Sequence, residues 1–89
     1  MIIQIFNAQD RVVKIKVIQK EVYYSDSINY PNYIPFLHLL KNKNAVADWN
    51  NRLKELKTEK EIADDILYDM KRLGYKLIKE IADEKISMD

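Results

Sequence analysis

Hydrophobic and polar residues alternate in two short stretches near the N-terminal end of the chain. Residues 2 to 6 and 11 to 18 are rich in Ile and Val, and Asn-Ala-Gln-Asp lies between them. Alternation is typical of strands with one face in the core, and a short polar segment between two such runs predicts a β-hairpin. Lys14 and Lys16 fall on the outer, polar face of the second strand.

The alternation changes phase after Ile18, because Val22 and Tyr24 fall on the opposite parity from the earlier apolar residues. A β-bulge near Ile18 or an early end to the strand would explain this change. Polar residues and two prolines then interrupt the pattern, and proline favours an extended conformation in the residue before it. We therefore expect residues 23 to 36 to link the hairpin to a helical layer.

Helical periodicity dominates the rest of the chain. Pro35 suits the first turn of a short helix, and Asn44 is expected to cap the next one. Thr58 and Glu61 match a capping box, which predicts that a further helix begins there. Between these caps, an apolar seam at spacings of three and four consists of Val46, Trp49, Leu53 and Leu56.

The apolar stripe of the last helix runs from Ile62 to Ile81 without losing phase at Gly74. Residues 76 to 84 are strong helix formers and alternate poorly as a strand. We therefore expect one long C-terminal helix. The alternative is that Gly74 ends the helix and residues 75 to 81 form a third strand beside the hairpin.

These elements predict one small α+β domain over residues 1 to 89, in which an N-terminal β-hairpin packs on a small helical layer with a long C-terminal helix. The chain has no cysteine, so its stability must come from apolar burial rather than from disulfides. A two-stranded sheet leaves its edges unpaired, and the long helix offers more apolar surface than the other elements can cover. We therefore also expect a homodimer.

The N-terminal residues lack a basic flank and a cleavage site, and no apolar run approaches the roughly 18 residues that span a membrane. We expect a cytoplasmic protein without membrane contact.

The residue types do not supply a catalytic set. Without cysteine there is no thiolate nucleophile, and one glycine cannot form a phosphate-binding loop. His38 is the only histidine, has no orienting partner in a recognised pattern, and is expected on the surface or half-buried. We also expect the chain to be too short to enclose a pocket of about 300 Å³ or more and keep a core. We expect no catalytic residues and no cofactor.

The most acidic cluster consists of Glu61, Asp64, Asp65 and Asp69. Carboxylates at helical spacing suit a hard cation, but Arg72 and Lys76 continue the same predicted face. The pattern therefore predicts a salt-bridged surface rather than a metal site.

YYSDSINYPNYIPF, residues 23 to 36, holds five of the nine aromatic residues and both prolines. Five rings are difficult to bury together in so short a chain, and tyrosine is enriched at protein interfaces. The prolines would hold the segment in shape before binding. We therefore expect this stretch and the basic outer face of the hairpin to bind a protein partner. The candidate partner-binding residues are Tyr23, Tyr24, Tyr30, Tyr33, Lys14 and Lys16.

Two alternatives stay open for these residues. Tyr30 and Tyr33 could instead close the end of the core, with only their hydroxyls in water. Lysines beside tyrosines also suit single-stranded nucleic acid, although the net charge is only +1. Size and composition are typical of small proteins with which phages and mobile elements inhibit a host protein. We expect a non-enzymatic inhibitor or regulator, with a nucleic-acid-binding regulatory protein as the alternative.

Overall fold

Four consecutive strands, rather than two, form the first 35 residues of the chain. In the computed structural model, which describes residues 1–82, these strands are followed by a 3₁₀ helix, two α-helices and a fifth strand. The elements are β1 (Ile2–Ala8), β2 (Arg11–Ile18), β3 (Glu21–Asp26), β4 (Tyr30–Pro35), the 3₁₀ helix (Phe36–Leu39), α1 (Lys43–Glu55), α2 (Glu59–Arg72) and β5 (Lys76–Ala82).

All five strands belong to one antiparallel sheet with the order β4-β3-β2-β1-β5. The first four strands form a meander, in which each strand pairs with the next along the chain. The two α-helices then carry the chain to the far edge, where β5 pairs with β1. The predicted hairpin is therefore the centre of a larger sheet.

The predicted fold class, a β-hairpin on a helical layer with a long C-terminal helix, is wrong. Helix α2 ends at Arg72, and Gly74 has φ of 96°, a left-handed conformation that glycine adopts without steric cost. The amides of Gly74 and Tyr75 donate to the carbonyls of Lys71 and Met70, which is the Schellman pattern of a helix end. Continuity of the apolar stripe was therefore a misleading signal.

The region predicted as helix after Gly74 is strand β5, so the alternative of a strand at residues 75 to 81 is the better description. It is the fifth strand rather than the third. Residues 83 and 84 of the predicted helix lie outside the described residues. Neither α1, with 13 residues, nor α2, with 14, is a long helix.

A second hairpin explains the change of phase after Ile18. Strand β2 ends there, Gln19 and Lys20 form the turn, and Ile18 pairs with Glu21. The early end to the strand is confirmed, but the expectation that residues 23 to 36 form a linker is wrong. Both prolines of that segment lie in β4, an edge strand, where a missing amide donor is tolerated.

The core lies between one face of the sheet and α2. Phe6, Val13 and Val17 are fully buried on the sheet side, and Ile62 and Ala63 are fully buried on α2. Each large apolar side chain buried in this way contributes about 1.5–3 kcal/mol. Helix α1 adds only one buried residue, Trp49, so it packs less extensively than α2.

The helix starts follow local capping chemistry. The capping box between Thr58 and Glu61 is confirmed as the start of α2. Asn42, rather than the expected Asn44, caps α1, because its side chain accepts a hydrogen bond from the Ala45 amide. Among residues 1–82, no helix combines the length and apolar character needed to cross a membrane.

Candidate functional site

Both helices lie on the same side of the sheet, so the opposite side is not covered by any residue of the described part of the chain. We call this opposite side the open face. Strand alternation places on it the odd-numbered residues of β1 and the even-numbered residues of β2. One row of paired residues crosses all five strands and consists of Ile81, Ile3, Lys16, Tyr23 and Pro35.

The open face is half apolar. Ile3, Ile5 and Ile18 are partly buried by their neighbours, and Ile81 on β5 is 41 % exposed. Tyr33 adds a ring from the edge strand β4. An uncovered surface of isoleucine and tyrosine has the composition of the centre of a protein interface.

The charge of the open face is strongly one-sided. Four lysines lie on the strands of this face. Within residues 1–82, Glu21 is the one acidic side chain that these strands place on the open face. The resulting formal charge of +3 exceeds the net charge of +1 of the whole chain. The face therefore attracts a negatively charged surface. The lysines are Lys14, Lys16, Lys76 and Lys79.

Lys16 lies between two tyrosine rings at the centre of the open face. Its Nζ is 4.2 Å from the ring centroid of Tyr33 and 5.6 Å from that of Tyr23. These distances are within the range of a cation–π interaction. The hydrogen bond from the Tyr23 hydroxyl to Glu21, 2.8 Å long, raises the pKa of Tyr23, and burial raises the pKa of Tyr33. Both shifts favour the neutral form of the two rings.

The six predicted partner-binding residues divide between the two faces of the sheet. Lys14, Lys16, Tyr23 and Tyr33 lie on the open face. Tyr24 and Tyr30 lie on the helix side, with their ring centroids 6.1 Å apart in an edge-to-face arrangement.

Tyr24 has a structural contact on the helix side. Its hydroxyl donates to Asp26 at 2.8 Å, and burial, followed by this hydrogen bond, raises the pKa of Tyr24 far above its usual value. Asp26 is itself only 3 % exposed and accepts hydrogen bonds from the amides of Ile28 and Asn29. These contacts close the turn between β3 and β4, so Tyr24 supports the fold rather than the open face.

His38 is exposed in the 3₁₀ helix, and no hydrogen bond or ion pair joins its imidazole to another residue in the range 1–82. The acidic cluster on α2 is a salt-bridged surface, as expected. Its main partner is Arg52 of α1, however, which bonds both Asp65 and Asp69, whereas Arg72 lies 4.0 Å from Asp69. No group of three or more metal-ligating side chains occurs within the described ranges.

A cleft opens on the helix side between α1, the end of α2 and the sheet. Its volume is about 470 Å³, and its walls are mainly apolar. The expectation that so short a chain cannot form a pocket of this size is therefore wrong. His38 does not line it, and the charged side chains in its wall are Asp48, Arg52 and Asp69.

Sequence reasoning missed half of the open face. Ile3 and Ile5 alternate with the buried residues of β1, so their position on the outer face was predictable. A two-stranded hairpin, however, gave no reason to expect a broad uncovered surface. Lys76, Lys79 and Ile81 were placed in a helix. Recognising Gly74 as a helix end would have brought them to the sheet edge.

Comparison with known proteins finds no matching family model, and neither a curated protein nor a solved structure shows significant similarity to the chain.

Proposed function

We propose that this chain is a non-enzymatic binding module that docks an acidic protein surface on the open face of its sheet. The observation that supports this most is the uncovered row across five strands, in which Lys16 lies between Tyr23 and Tyr33 and beside Ile3. Apolar contact area would supply affinity, and the lysines would select partners of negative charge.

The arrangement of Tyr23 and Tyr33 favours binding of a protein over stacking of nucleic-acid bases. A stacking site for nucleic acid needs free ring faces, but Lys16 already lies over the rings of Tyr23 and Tyr33. The other large side chains of the centre, Ile3 and Ile5, have no π-face. An aliphatic surface around two rigid rings suits the apolar core of a protein interface.

A nucleic-acid-binding regulatory protein is the second candidate, and one observation favours it. The open face carries four lysines and a single glutamate, and such an excess of positive charge attracts a phosphate backbone. Such binding would weaken steeply as salt is raised from about 50 to 200 mM, because counterions are released.

The expected homodimer stays a prediction, although one of its two reasons no longer applies, because the long helical stripe does not exist. The other reason remains, since β4 and β5 are edge strands of the sheet. A two-fold dimer through the open face would bring lysines of one copy towards lysines of the other. The charge of this face therefore favours a different, acidic partner.

Inhibition or regulation of the partner is the activity that we propose for a module without a catalytic set. A cytoplasmic location, expected from the sequence, is part of the same proposal and agrees with a chain that has no cysteine.

Affinity capture from cells that naturally carry the protein tests the proposal. The bait variant Tyr23→Ala/Tyr33→Ala removes both rings of the open face, and Tyr68→Ala is the matched control because Tyr68 is 64 % exposed on α2. We expect one protein to be retained by wild type and Tyr68→Ala after nuclease treatment, and to be lost with the double variant. A partner that disappears on nuclease treatment would support the second candidate instead.

A further inference from the structure

The cleft on the helix side is a second feature, separate from the open face. Six large side chains form most of its apolar wall, and the charged residues lie among them on α1 and α2. A volume of about 470 Å³ falls within the usual range for sites of small organic molecules. The six side chains are Tyr24, Phe36, Trp49, Met70, Leu73 and Tyr75.

The cleft exists because α1 packs loosely at this end. Trp49 is the one buried residue of α1, and the centroid of its ring lies 4.9 Å from that of the Phe36 ring. Ala45, one turn before Trp49, is too short to fill the space towards α2. Leu73 at the end of α2 is left 70 % exposed. Cores are normally close-packed, so an apolar space of this size is suited to a ligand.

The charged groups of the wall are not equivalent. Arg52 is neutralised by Asp65 and Asp69, and its guanidinium lies 5.5 Å from the centroid of the Trp49 ring. Asp48 is exposed, and its side chain makes no hydrogen bond or ion pair with any other residue from 1 to 82. The free charge beside the apolar wall is therefore negative.

We propose that the cleft binds a small organic molecule with an apolar body and one cationic nitrogen. The body would contact Trp49, Met70 and Tyr75, and the nitrogen would pair with the carboxylate of Asp48. An anionic molecule of the same shape would meet Asp48 and Asp69 without a free cation to receive it, because Arg52 is already paired.

Three probes with one common body test this inference: 4-phenylbutylamine, 4-phenylbutanol and 4-phenylbutyrate. Trp49 is the only tryptophan of the chain and lines the cleft, so its fluorescence reports occupancy. Excitation at the red edge of tryptophan absorption avoids the phenyl probes. We expect saturable changes in emission, with the amine binding most tightly and the carboxylate most weakly.

Two substitutions and a matched control locate the binding. Asp48→Asn should weaken the amine about two- to fivefold and leave the alcohol unchanged, as expected for a solvent-exposed ion pair. Glu55→Gln, two turns further along α1 and outside the cleft wall, is the matched control and should change neither. Ala45→Phe should fill the cleft and abolish saturation for all three probes, with circular dichroism showing that the variant is folded.

The inference is overturned if no probe gives saturable binding, if the carboxylate binds as tightly as the amine, or if Asp48→Asn leaves the affinity for the amine unchanged. Since the open face lies on the other side of the sheet, these outcomes are independent of the proposed protein partner.

Discussion

The ammonium of Lys16 lies 4.2 Å from the ring centroid of Tyr33, although the two residues belong to strands that are separated by β3. The lysine side chain reaches across β3 and passes Tyr23 on the way, at 5.6 Å from its ring centroid. Each exposed cation–π contact contributes about 0.5–1 kcal/mol. The centre of the open face is therefore ordered before a partner arrives, which lowers the entropic cost of binding.

Replacing Gly74 should destabilise the protein. Gly74 has φ of 96°, and a Cβ added there would meet no atom within 4 Å, so the cost of Gly74→Ala is backbone strain alone. We expect a loss of about 1 kcal/mol in the free energy of unfolding, measured by urea denaturation. Lys71→Ala, on the surface of the same helix, is the control and should have little effect. An unchanged midpoint for Gly74→Ala would contradict the helix end described above.

Glycine should stabilise the two tight turns. Gln9 and Gln19 both have φ of 55°, a left-handed conformation that is unfavourable for a residue with a side chain. Gln9→Gly and Gln19→Gly should each raise the free energy of unfolding by up to about 1 kcal/mol. Asp10→Gly, at the next turn position without positive φ, should instead lower it. Equal effects at all three positions would show that left-handed strain is absent.

The carboxylate of Asp26 should make stability depend on pH in the acid range. Burial alone would raise its pKa, but hydrogen bonds from the Asn29 amide, the Tyr24 hydroxyl and the Ile28 amide outweigh burial and lower the pKa below 3.8. A lowered pKa in the folded state stabilises the protein above the unfolded value near 3.8, and this stability is lost as the pH falls through the folded value.

The variant Asp26→Asn should therefore unfold more easily at pH 7, by about 1–3 kcal/mol, and should lose less further stability on acidification than wild type. Thermal denaturation from pH 7 to the acid range measures both effects. Asp64→Asn is the control, because Asp64 is exposed on α2. If Asp26→Asn kept the full acid dependence of wild type, other carboxylates would have to cause it.

An apolar residue should be better tolerated than glutamine at position 4. Gln4 is fully buried, its Nε2 donates to Glu80 at 3.2 Å, and its Oε1 has no hydrogen-bond partner among the described residues. A buried polar atom without a partner is destabilising, whereas Met fills a similar volume. We expect Gln4→Met to raise the free energy of unfolding by about 1 kcal/mol in urea denaturation. Destabilisation by Gln4→Met would mean that the hydrogen bond from Nε2 to Glu80 outweighs the cost of the unpartnered Oε1.

The fold was predictable where signals are local. The first hairpin and the capping box at Thr58 depend on residues close in sequence, and both are confirmed. The second hairpin was missed because its turn, Gln19 and Lys20, contains none of the usual turn residues. Strand β5 was missed because pairing with β1, which is distant along the chain, overrides the helix propensity of residues 76 to 82.

The same distinction applies to the candidate site. Lys14 and Lys16 could be identified from alternation along a strand, and they share the open face. Tyr23 and Tyr33 could be identified only as part of an aromatic stretch. The contribution of Ile81 depends on which strand β5 joins, and no local pattern carries that information.

Site-specific photocrosslinking tests the proposed protein interface most directly. A photoreactive benzophenone amino acid placed at Ile5, in the middle of the open face, would touch whatever covers it, and the same amino acid at exposed Tyr68 of α2 is the control. Crosslinking is carried out in cells that naturally carry the protein, and mass spectrometry identifies the attached molecule. We predict that Ile5, and not Tyr68, attaches to one protein through a segment rich in Asp and Glu. Crosslinks from Tyr68 alone, or from Ile5 to nucleic acid only, would contradict the proposal.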